Sequence, residues 1–334
     1  MLQGRVVASR LESKLLVGNR LGDPHARDVL VYLPPGYDES TKRYPTVTLL
    51  TGYASTHQNV LGFSPWKPNT LEAFEAQVLK GDAAPAILVL PDCMTRWGGS
   101  QFVDSAATGP YQSYLADEVF PHVDANFRTI PKREARAVAG RSSGGFGALR
   151  LGMDRPDVVC ALGSHAGDAA FDISMRPMLT RAAIAIDRAG GVEAFCERMD
   201  NGGPRGGFDF DAIFVLASSA AYAPEPETPV PHCVLPFDLR TAAIDDDAWG
   251  RWLAHDPLVR IPDHAGALTQ MKQIFLDAGN RDEHGLHFAA RLLYDALRDV
   301  GAPVHFEEFD GGHRGTSYRY EVSLPLLVDT LAKA

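Results

Sequence analysis

The chain has 334 residues, of which 45% are apolar and 22% charged, and its formal net charge is −10. Binding to nucleic acids or anionic membranes needs clustered Lys and Arg, so this acidity argues against both kinds of partner. The sequence has no apolar run of the roughly 20 residues that a membrane helix needs, and its first residues lack the apolar core of a signal peptide. We therefore expect a cytoplasmic protein.

Short apolar segments bounded by Pro and Gly alternate with longer segments of helical spacing, which is typical of an α/β fold. The predicted strands cover residues 29–33, 46–50, 86–90, 135–139, 159–164, 273–276 and 304–309. Their nearly continuous hydrophobicity indicates strands that are buried on both faces of a mostly parallel sheet, with helices on both sides.

Helical periodicity is clearest over residues 283–300, where six apolar residues trace one face and Gly301-Ala302-Pro303 ends the helix. Between residues 168 and 262 the pattern loosens into weak helices and a proline-rich passage, with no predicted strand. We interpret residues 168–262 as a cap or lid insertion over the site, within a single domain that spans residues 1–334.

The predicted strand 135–139 runs into Gly140-Arg141-Ser142-Ser143-Gly144, and a helical pattern follows at once. This is G-x-S-x-G in the strand-turn-helix setting of a nucleophile elbow. The glycines let strand and helix approach, and the helix N-terminus favours negative charge beside the serine. A glycine-rich turn without function is the alternative, but a base and an acid follow in the chain. Only Ser142 has glycine on both sides at two residues' distance, so we predict Ser142, not Ser143, as the nucleophile.

The predicted base is His313, in the segment Phe309-Asp310-Gly311-Gly312-His313 directly after the last predicted strand. A loop at the carboxyl end of a strand allows a histidine to reach back to the serine. His165, at the end of strand 159–164, stays open as a rival base. The other candidates are interpreted as structural, solvated, packing or capping residues, namely His122, His264, His305, His284 and His287.

The predicted acid is Asp282, in the loop after the penultimate strand, where a carboxylate can fix the histidine tautomer and stabilise the imidazolium. Asp277 lies too close to the strand, and Glu283 is expected to face the first turn of the following helix. Helix capping remains the alternative role for Asp282.

Two backbone N–H groups are needed to stabilise a developing oxyanion, and we assign them to Ser143 and to Tyr53, in the loop after strand 46–50. Trp97, His165 and Asp168 lie in loops expected at the active face, so they are predicted substrate contacts, with ordinary loop packing as the alternative. The sequence has no His, Cys or carboxylate cluster with metal-ligand spacing, and we expect neither a metal nor a cofactor. Its four cysteines are expected as free thiols.

The sequence resembles the "Putative esterase" family of α/β hydrolases, which includes esterase D (S-formylglutathione hydrolase), feruloyl esterases, enterochelin esterases and the antigen 85 mycolyltransferases. The resemblance rests on residues 31–37, the Gly52 loop, residues 115–124, the elbow, residues 279–282 and residues 311–313. It implies an α/β-hydrolase fold and acyl transfer through a serine-bound intermediate, with Ser142, Asp282 and His313 matching the family's triad. The elbow departs from many relatives by carrying Arg141 and Ser143 where His and Met are common.

These observations predict a cofactor-independent serine esterase that hydrolyses a small-molecule carboxylic ester. An acyltransferase on the same triad is the first alternative, and a catalytically silent scaffold used for binding is the second. The segment 168–262 resembles no insertion that would identify the substrate, and the sequence leaves open whether the protein forms a homo-oligomer.

Overall fold

The computed structural model describes residues 2–333. The strands are β1 (Arg5–Glu12), β2 (Ala26–Leu33), β3 (Thr46–Leu50), β4 (Ile87–Pro91), β5 (Asp104–Ser105), β6 (Gly109–Pro110), β7 (Arg136–Arg141), β8 (Ala161–His165), β9 (Gln273–Gly279) and β10 (Val304–Phe309). The α-helices are α1 (Thr70–Lys80), α2 (Tyr111–Ser113), α3 (Phe120–Asn126), α4 (Ser143–Asp154), α5 (Phe171–Ser174), α6 (Arg176–Ala189), α7 (Val192–Gly202), α8 (Asp209–Tyr222), α9 (Asp246–Leu253), α10 (Pro257–Arg260), α11 (Ala265–Thr269), α12 (Leu286–Asp299) and α13 (Tyr320–Thr330). A π-helical turn, Tyr114–Val119, joins α2 to α3, and 3-10 turns cover His57–Leu61, Arg133–Ala135 and Ser317–Arg319.

Eight strands form one sheet in the order β1-β2-β4-β3-β7-β8-β9-β10. The pairs β1–β2 and β2–β4 are antiparallel, and every pair from β4 to β10 is parallel. The seven predicted strands are all present, so the prediction of a mostly parallel sheet is confirmed. Because β3, β7, β8, β9 and β10 run in the same direction, the loops at their carboxyl ends meet at one edge of the sheet.

Helices cover both faces of the sheet, and each face has its own apolar core. On one face α1 and α13 pack on the central strands through Phe74, Leu324 and Leu327. On the other face α4 and α12 pack through Leu149 and Leu293, together with the helix that runs from α2 to α3. This layered packing explains why the central strands read as unbroken apolar runs in the sequence.

Strand β1 was not predicted from the sequence, and its position in the sheet explains why. It pairs only with β2, at the edge of the sheet, and its residues alternate between exposed and half-buried. An edge strand that is partly solvated carries no continuous apolar run. The two-residue hairpin strands β5 and β6 are likewise too short to leave a pattern.

Residues 168–262 contain six helices, α5 to α10, and no strand among the described residues. They build an apolar cluster of their own around Phe195, Leu216 and Trp252, and this cluster also takes in Trp97 and Phe146 from outside the segment. The weak helical pattern in the sequence thus corresponds to real helices. The interpretation of the segment as a cap remains a prediction.

Candidate active site

The turn between β7 and α4 holds Ser142 in a backbone conformation that few residues adopt, with φ 56° and ψ −126°. Strand and helix are so close that a methyl group on Gly140 would lie 2.2 Å from the carbonyl oxygen of Gly144. A methyl group on Gly144 would lie 2.1 Å from the carbonyl oxygen of Leu50. Both distances exclude any side chain, so the two glycines of the motif are required by sterics, and the strain of the turn is concentrated at Ser142.

His313 lies in the loop after β10 and is bonded to Asp282 in the loop after β9. The two side chains make a hydrogen bond of 2.8 Å between His313 Nδ1 and Asp282 Oδ2. The Asp282 side chain is fully buried, and its other oxygen accepts the backbone N–H of His284 at 2.9 Å. Burial raises the pKa of Asp282, but the hydrogen bond from His313 and the backbone N–H donors outweigh it, so the net pKa is lowered. Asp282 is therefore held as a carboxylate against the imidazole.

Ser142 and His313 line the same cavity of about 330 Å³, which we call the first cavity. Its remaining wall combines the loop after β3 with apolar side chains of the segment 168–262, including Met175, Met178, Phe210 and Phe214. No hydrogen bond joins the Ser142 hydroxyl to His313 within residues 2–333. Such contacts are often long in unliganded enzymes and shorten when substrate binds.

Two backbone N–H groups beside Ser142 have no protein acceptor in the part of the chain that the structure describes. Ser143 is the first residue of α4, so its N–H has no intrahelical partner. The N–H of Tyr53 also bonds to no protein acceptor, and Tyr53 lines the first cavity. The backbone of Gly52 lies next to the serine, since a methyl group on Gly52 would be 3.5 Å from Ser142 Cβ.

The side chain of Tyr53 is anchored away from the serine. Its hydroxyl donates to the carbonyl oxygen of Trp97, and burial raises its pKa. The ring packs edge-to-face against Phe214, with ring centroids 4.9 Å apart, and against Phe210 at 5.6 Å. The loop after β3 is thereby joined to α8 of the segment 168–262.

Asp168 lines the first cavity with a carboxyl group that is buried next to the elbow. Its Oδ2 accepts a hydrogen bond of 2.9 Å from the Ser143 hydroxyl. Burial raises the pKa of Asp168 to about 6, and the hydrogen bond from Ser143 only partly offsets that rise. This placement is compatible with the predicted substrate contact of Asp168.

Trp97 and His165 do not reach the first cavity, which corrects their predicted role as substrate contacts. Trp97 is 1% exposed and packs in the apolar cluster of the segment 168–262. His165 is 2% exposed and fixed on both ring nitrogens, at 2.8 Å to Asp277 Oδ1 and 2.8 Å to Ser323 Oγ. The same two bonds exclude His165 as the rival base, because neither ring nitrogen is left to take a proton from Ser142.

Two further expectations about the acid loop are corrected. Glu283 does not face the following helix, since its Oε2 accepts the backbone N–H of His313 at 2.6 Å and this bond lowers its pKa. His284 is not merely a capping residue, because it lines the first cavity and its ring meets that of His313 edge-on at 4.8 Å. Burial lowers the pKa of His284, which favours its neutral form.

Arg141 was noted in the sequence only as a departure from relatives, yet it lies between two cavities. It lines the first cavity and also a second cavity of about 410 Å³, which shares Gly52 and Ser55 of the loop after β3 with the first. Its place directly before the nucleophile was the one available signal for this role. The apolar wall residues of the first cavity left no such signal, since only the packing of α6 and α8 brings them to the serine.

Within residues 2–333 the structure contains no group of three or more His, Cys, Asp or Glu side chains placed to hold a metal ion. In the same part of the chain, no helix is both long enough and apolar enough to span a bilayer.

Comparison with known families places residues 22–325 in the family described as "Putative esterase". Esterase Rv1288 of Mycobacterium tuberculosis (strain ATCC 25618 / H37Rv) is 33% identical over 145 residues, which are 43% of this chain and 29% of that protein. An endo-1,4-beta-xylanase/feruloyl esterase of Xylanibacter ruminicola is 26% identical over 132 residues, which are 38% of this chain and 18% of that protein. The match thus spans less than a third of the length of either relative.

Solved structures of esterases share the fold across the whole chain. A ferulic acid esterase aligns with a TM-score of 0.61 at 20% identity, over 99% of both chains. An S-formylglutathione hydrolase from Agrobacterium tumefaciens aligns with a TM-score of 0.60 at 16% identity, over 99% of this chain and 97% of that one. Together with the family match over most of its length, the α/β-hydrolase architecture shows that this chain belongs to the "Putative esterase" family.

Proposed function

We propose that the protein is a serine carboxylic-ester hydrolase with Ser142 as nucleophile, His313 as general base and Asp282 as the orienting acid. The observation that carries the proposal is the 2.8 Å bond between His313 Nδ1 and Asp282 Oδ2, in the same cavity as a serine on a strained strand-to-helix turn. Membership of an esterase family supports the same reaction class.

In the proposed acylation step the Asp282 carboxylate keeps the proton of His313 on Nδ1, which leaves Nε2 free to act as base. As the Ser142 oxygen attacks the ester carbonyl, its proton passes to Nε2, and the resulting imidazolium is stabilised by the buried Asp282. His313 then donates this proton to the leaving alcohol, and the acyl group remains on Ser142.

The proposed oxyanion hole consists of the backbone N–H groups of Ser143 and Tyr53. Donors that are already in place for the developing negative charge lower the barrier by about 3 to 4 kcal/mol each in enzymes of this type. In deacylation His313 removes a proton from water as the water oxygen attacks the acyl carbonyl, and it then returns this proton to the Ser142 oxygen as the acid is released. Since each step uses only side chains and amides of this chain, the proposed reaction is independent of a cofactor.

The test measures hydrolysis of 4-nitrophenyl butyrate by the wild type and by Ser142→Ala. We expect the variant to lose at least about a thousandfold in kcat/KM, because the covalent route is removed. Equal activity of the two proteins would refute the assignment of the nucleophile.

A fluorophosphonate probe checks the same serine independently of turnover. We expect the wild type and Ser143→Ala to be labelled, with the adduct on the peptide that contains Ser142, and we expect no labelling of Ser142→Ala. Failure of the wild type to react would favour the catalytically silent scaffold. Product analysis with an added alcohol acceptor addresses the acyltransferase alternative, since exclusive transfer at modest acceptor concentration would replace hydrolysis as the reaction.

A further inference from the structure

The second cavity adjoins the first, and both are lined by Gly52, Ser55 and Arg141. Its volume of about 410 Å³ is sufficient for a substituent of several atoms. Both cavities have mixed linings of polar and apolar groups, and they differ in their charged residues. The first contains the carboxyl group of Asp168, whereas the second is lined by Lys67 and by no carboxylate of residues 2–333.

Arg141 is fixed at the junction by neutral groups alone. One terminal nitrogen, Nη1, is 3.4 Å from the carbonyl oxygen of His313 and 3.3 Å from the hydroxyl of Thr316. Nε and Nη2 make no hydrogen bond with residues 2–333, and neither is buried away from solvent. A guanidinium carries five N–H donors in a planar fork, so donors remain for a planar or tetrahedral oxyanion in the cavity.

Arg141 has no carboxylate partner, in contrast to the most deeply buried arginines of the described chain. Those that are more than nine-tenths buried each form an ion pair, namely Arg27 with Asp92, Arg136 with Asp124, Arg150 with Asp154 and Arg319 with Asp277. Arg141 forms none with residues 2–333, and neither does Lys67, which also lines the second cavity.

The charge around the second cavity is opposite to that of the protein as a whole. The chain has a formal net charge of −10, yet no carboxylate of residues 2–333 lines the second cavity, whereas Arg141 and Lys67 do. The first cavity is lined by the carboxyl group of Asp168 as well as by Arg141 and Arg314. A cavity with two unpaired cations and no anion attracts an anionic group.

We propose that the second cavity binds an oxyanion, a carboxylate or phosphate carried by the ester substrate, and that Arg141 determines this specificity. The inference rests on the proposed ester hydrolysis at Ser142 and adds the substrate class. Arg141 contacts the anionic group at the end of the substrate that enters the second cavity, while the ester carbonyl is at Ser142 and the other end occupies the first cavity.

The experiment compares charged and neutral esters of nearly equal size. One series uses the butyrate esters of 4-hydroxybenzamide, 4-hydroxybenzoate and 4-hydroxyphenyl phosphate, with the charge in the alcohol half. A second pair, 4-nitrophenyl hydrogen glutarate and 4-nitrophenyl glutaramate, carries the difference in the acyl half. The quantity compared is the ratio of kcat/KM for the charged ester to that for the neutral ester, measured in the wild type, Arg141→Gln and Arg141→Lys.

We expect this ratio to fall about tenfold or more in Arg141→Gln, for the esters charged in the alcohol half, for those charged in the acyl half, or for both. A loss of this size is typical of a charge-assisted hydrogen bond. We expect Arg141→Lys to restore part of it, because the charge returns without the planar fork. The exposed Arg188, in the last turn of α6, lines neither cavity and provides the matched control, so Arg188→Gln should keep the wild-type ratio. The carboxylate and phosphate members show which oxyanion is preferred.

The inference would be overturned if the charged-to-neutral ratio of kcat/KM were equal in the wild type and Arg141→Gln both for the alcohol-half series and for the acyl-half pair. If Arg141→Gln does not fold, the wild type alone decides, since the preference for charged esters should shrink at high salt, and a salt-independent ratio would contradict binding to unpaired cations. A wild type that hydrolyses none of the esters would instead refute the proposed function, so the two failures are distinguishable.

Discussion

Replacement of Asp168 by Asn should change how the stability of the protein depends on pH. The carboxyl group is buried beside the elbow, and burial raises its pKa from an ordinary 3.8 to about 6. Between these values the unfolded chain has lost the proton while the folded protein retains it. The folded state then binds more protons, so stability falls as pH rises through this window and is constant above it. The full effect is about 3 kcal/mol, at 1.36 kcal/mol per pH unit.

The assay is urea unfolding of the wild type and Asp168→Asn, followed by tryptophan fluorescence, from about pH 4.5 to about pH 7.5. Asn keeps an oxygen that can accept the Ser143 hydroxyl but does not titrate, so the difference between the two proteins isolates Asp168 from other carboxyls. We expect the free energy of unfolding of the wild type to fall by about 2 kcal/mol relative to the variant over this range.

A control at a solvent-exposed aspartate, Asp247→Asn, removes the same charge without removing a buried group. The free energy of unfolding of this control should change with pH in the same way as that of the wild type. The reasoning would be refuted if the difference between the wild type and Asp168→Asn stayed constant across the range, because the carboxyl would then titrate alike in the folded and unfolded states.

Three further substitutions test the site. Asp282→Asn should lower kcat for 4-nitrophenyl butyrate on the order of 10⁴-fold, because the histidine loses the partner that fixes its tautomer, and a loss below tenfold would contradict this role. Gly144→Ala places a methyl group 2.1 Å from the carbonyl oxygen of Leu50, so it should lower the free energy of unfolding by at least about 3 kcal/mol in urea titrations. Tyr53→Phe removes the donor to the Trp97 carbonyl and should destabilise by about 1 to 3 kcal/mol, yet retain kcat because only its backbone is assigned to catalysis, and a collapse of kcat in folded protein would oppose that assignment.

The parts of the fold and site that follow from local chemistry could be predicted from the sequence. Buried parallel strands leave continuous apolar runs, and the tight turn at Ser142 requires glycines at fixed spacing. The order of Ser142, Asp282 and His313 along the chain was enough to expect them together, since loops at the carboxyl ends of parallel strands converge. The structure brings all three to one end of the sheet.

The walls of the site could not be predicted, because they depend on tertiary packing. Nothing in the local sequence distinguishes Phe214, which lines the first cavity, from Trp97, which is buried in the same apolar cluster and does not line it. His165 has the right position after a strand, but distant partners, Asp277 and Ser323, occupy both of its ring nitrogens. The same limit applies to Arg141, whose lack of a carboxylate partner is visible only once every neighbour is placed.

The packing of Phe146 restricts how the segment 168–262 can be exchanged between relatives. Phe146 belongs to the elbow helix α4, yet its ring packs against Phe171 at 6.0 Å and Tyr222 at 5.6 Å, both within the segment. A chimera that takes this segment from another esterase would therefore also replace the aromatic surface on which the nucleophile's own helix rests. Grafts designed to alter substrate range should transfer Phe146 together with its two aromatic neighbours as one unit.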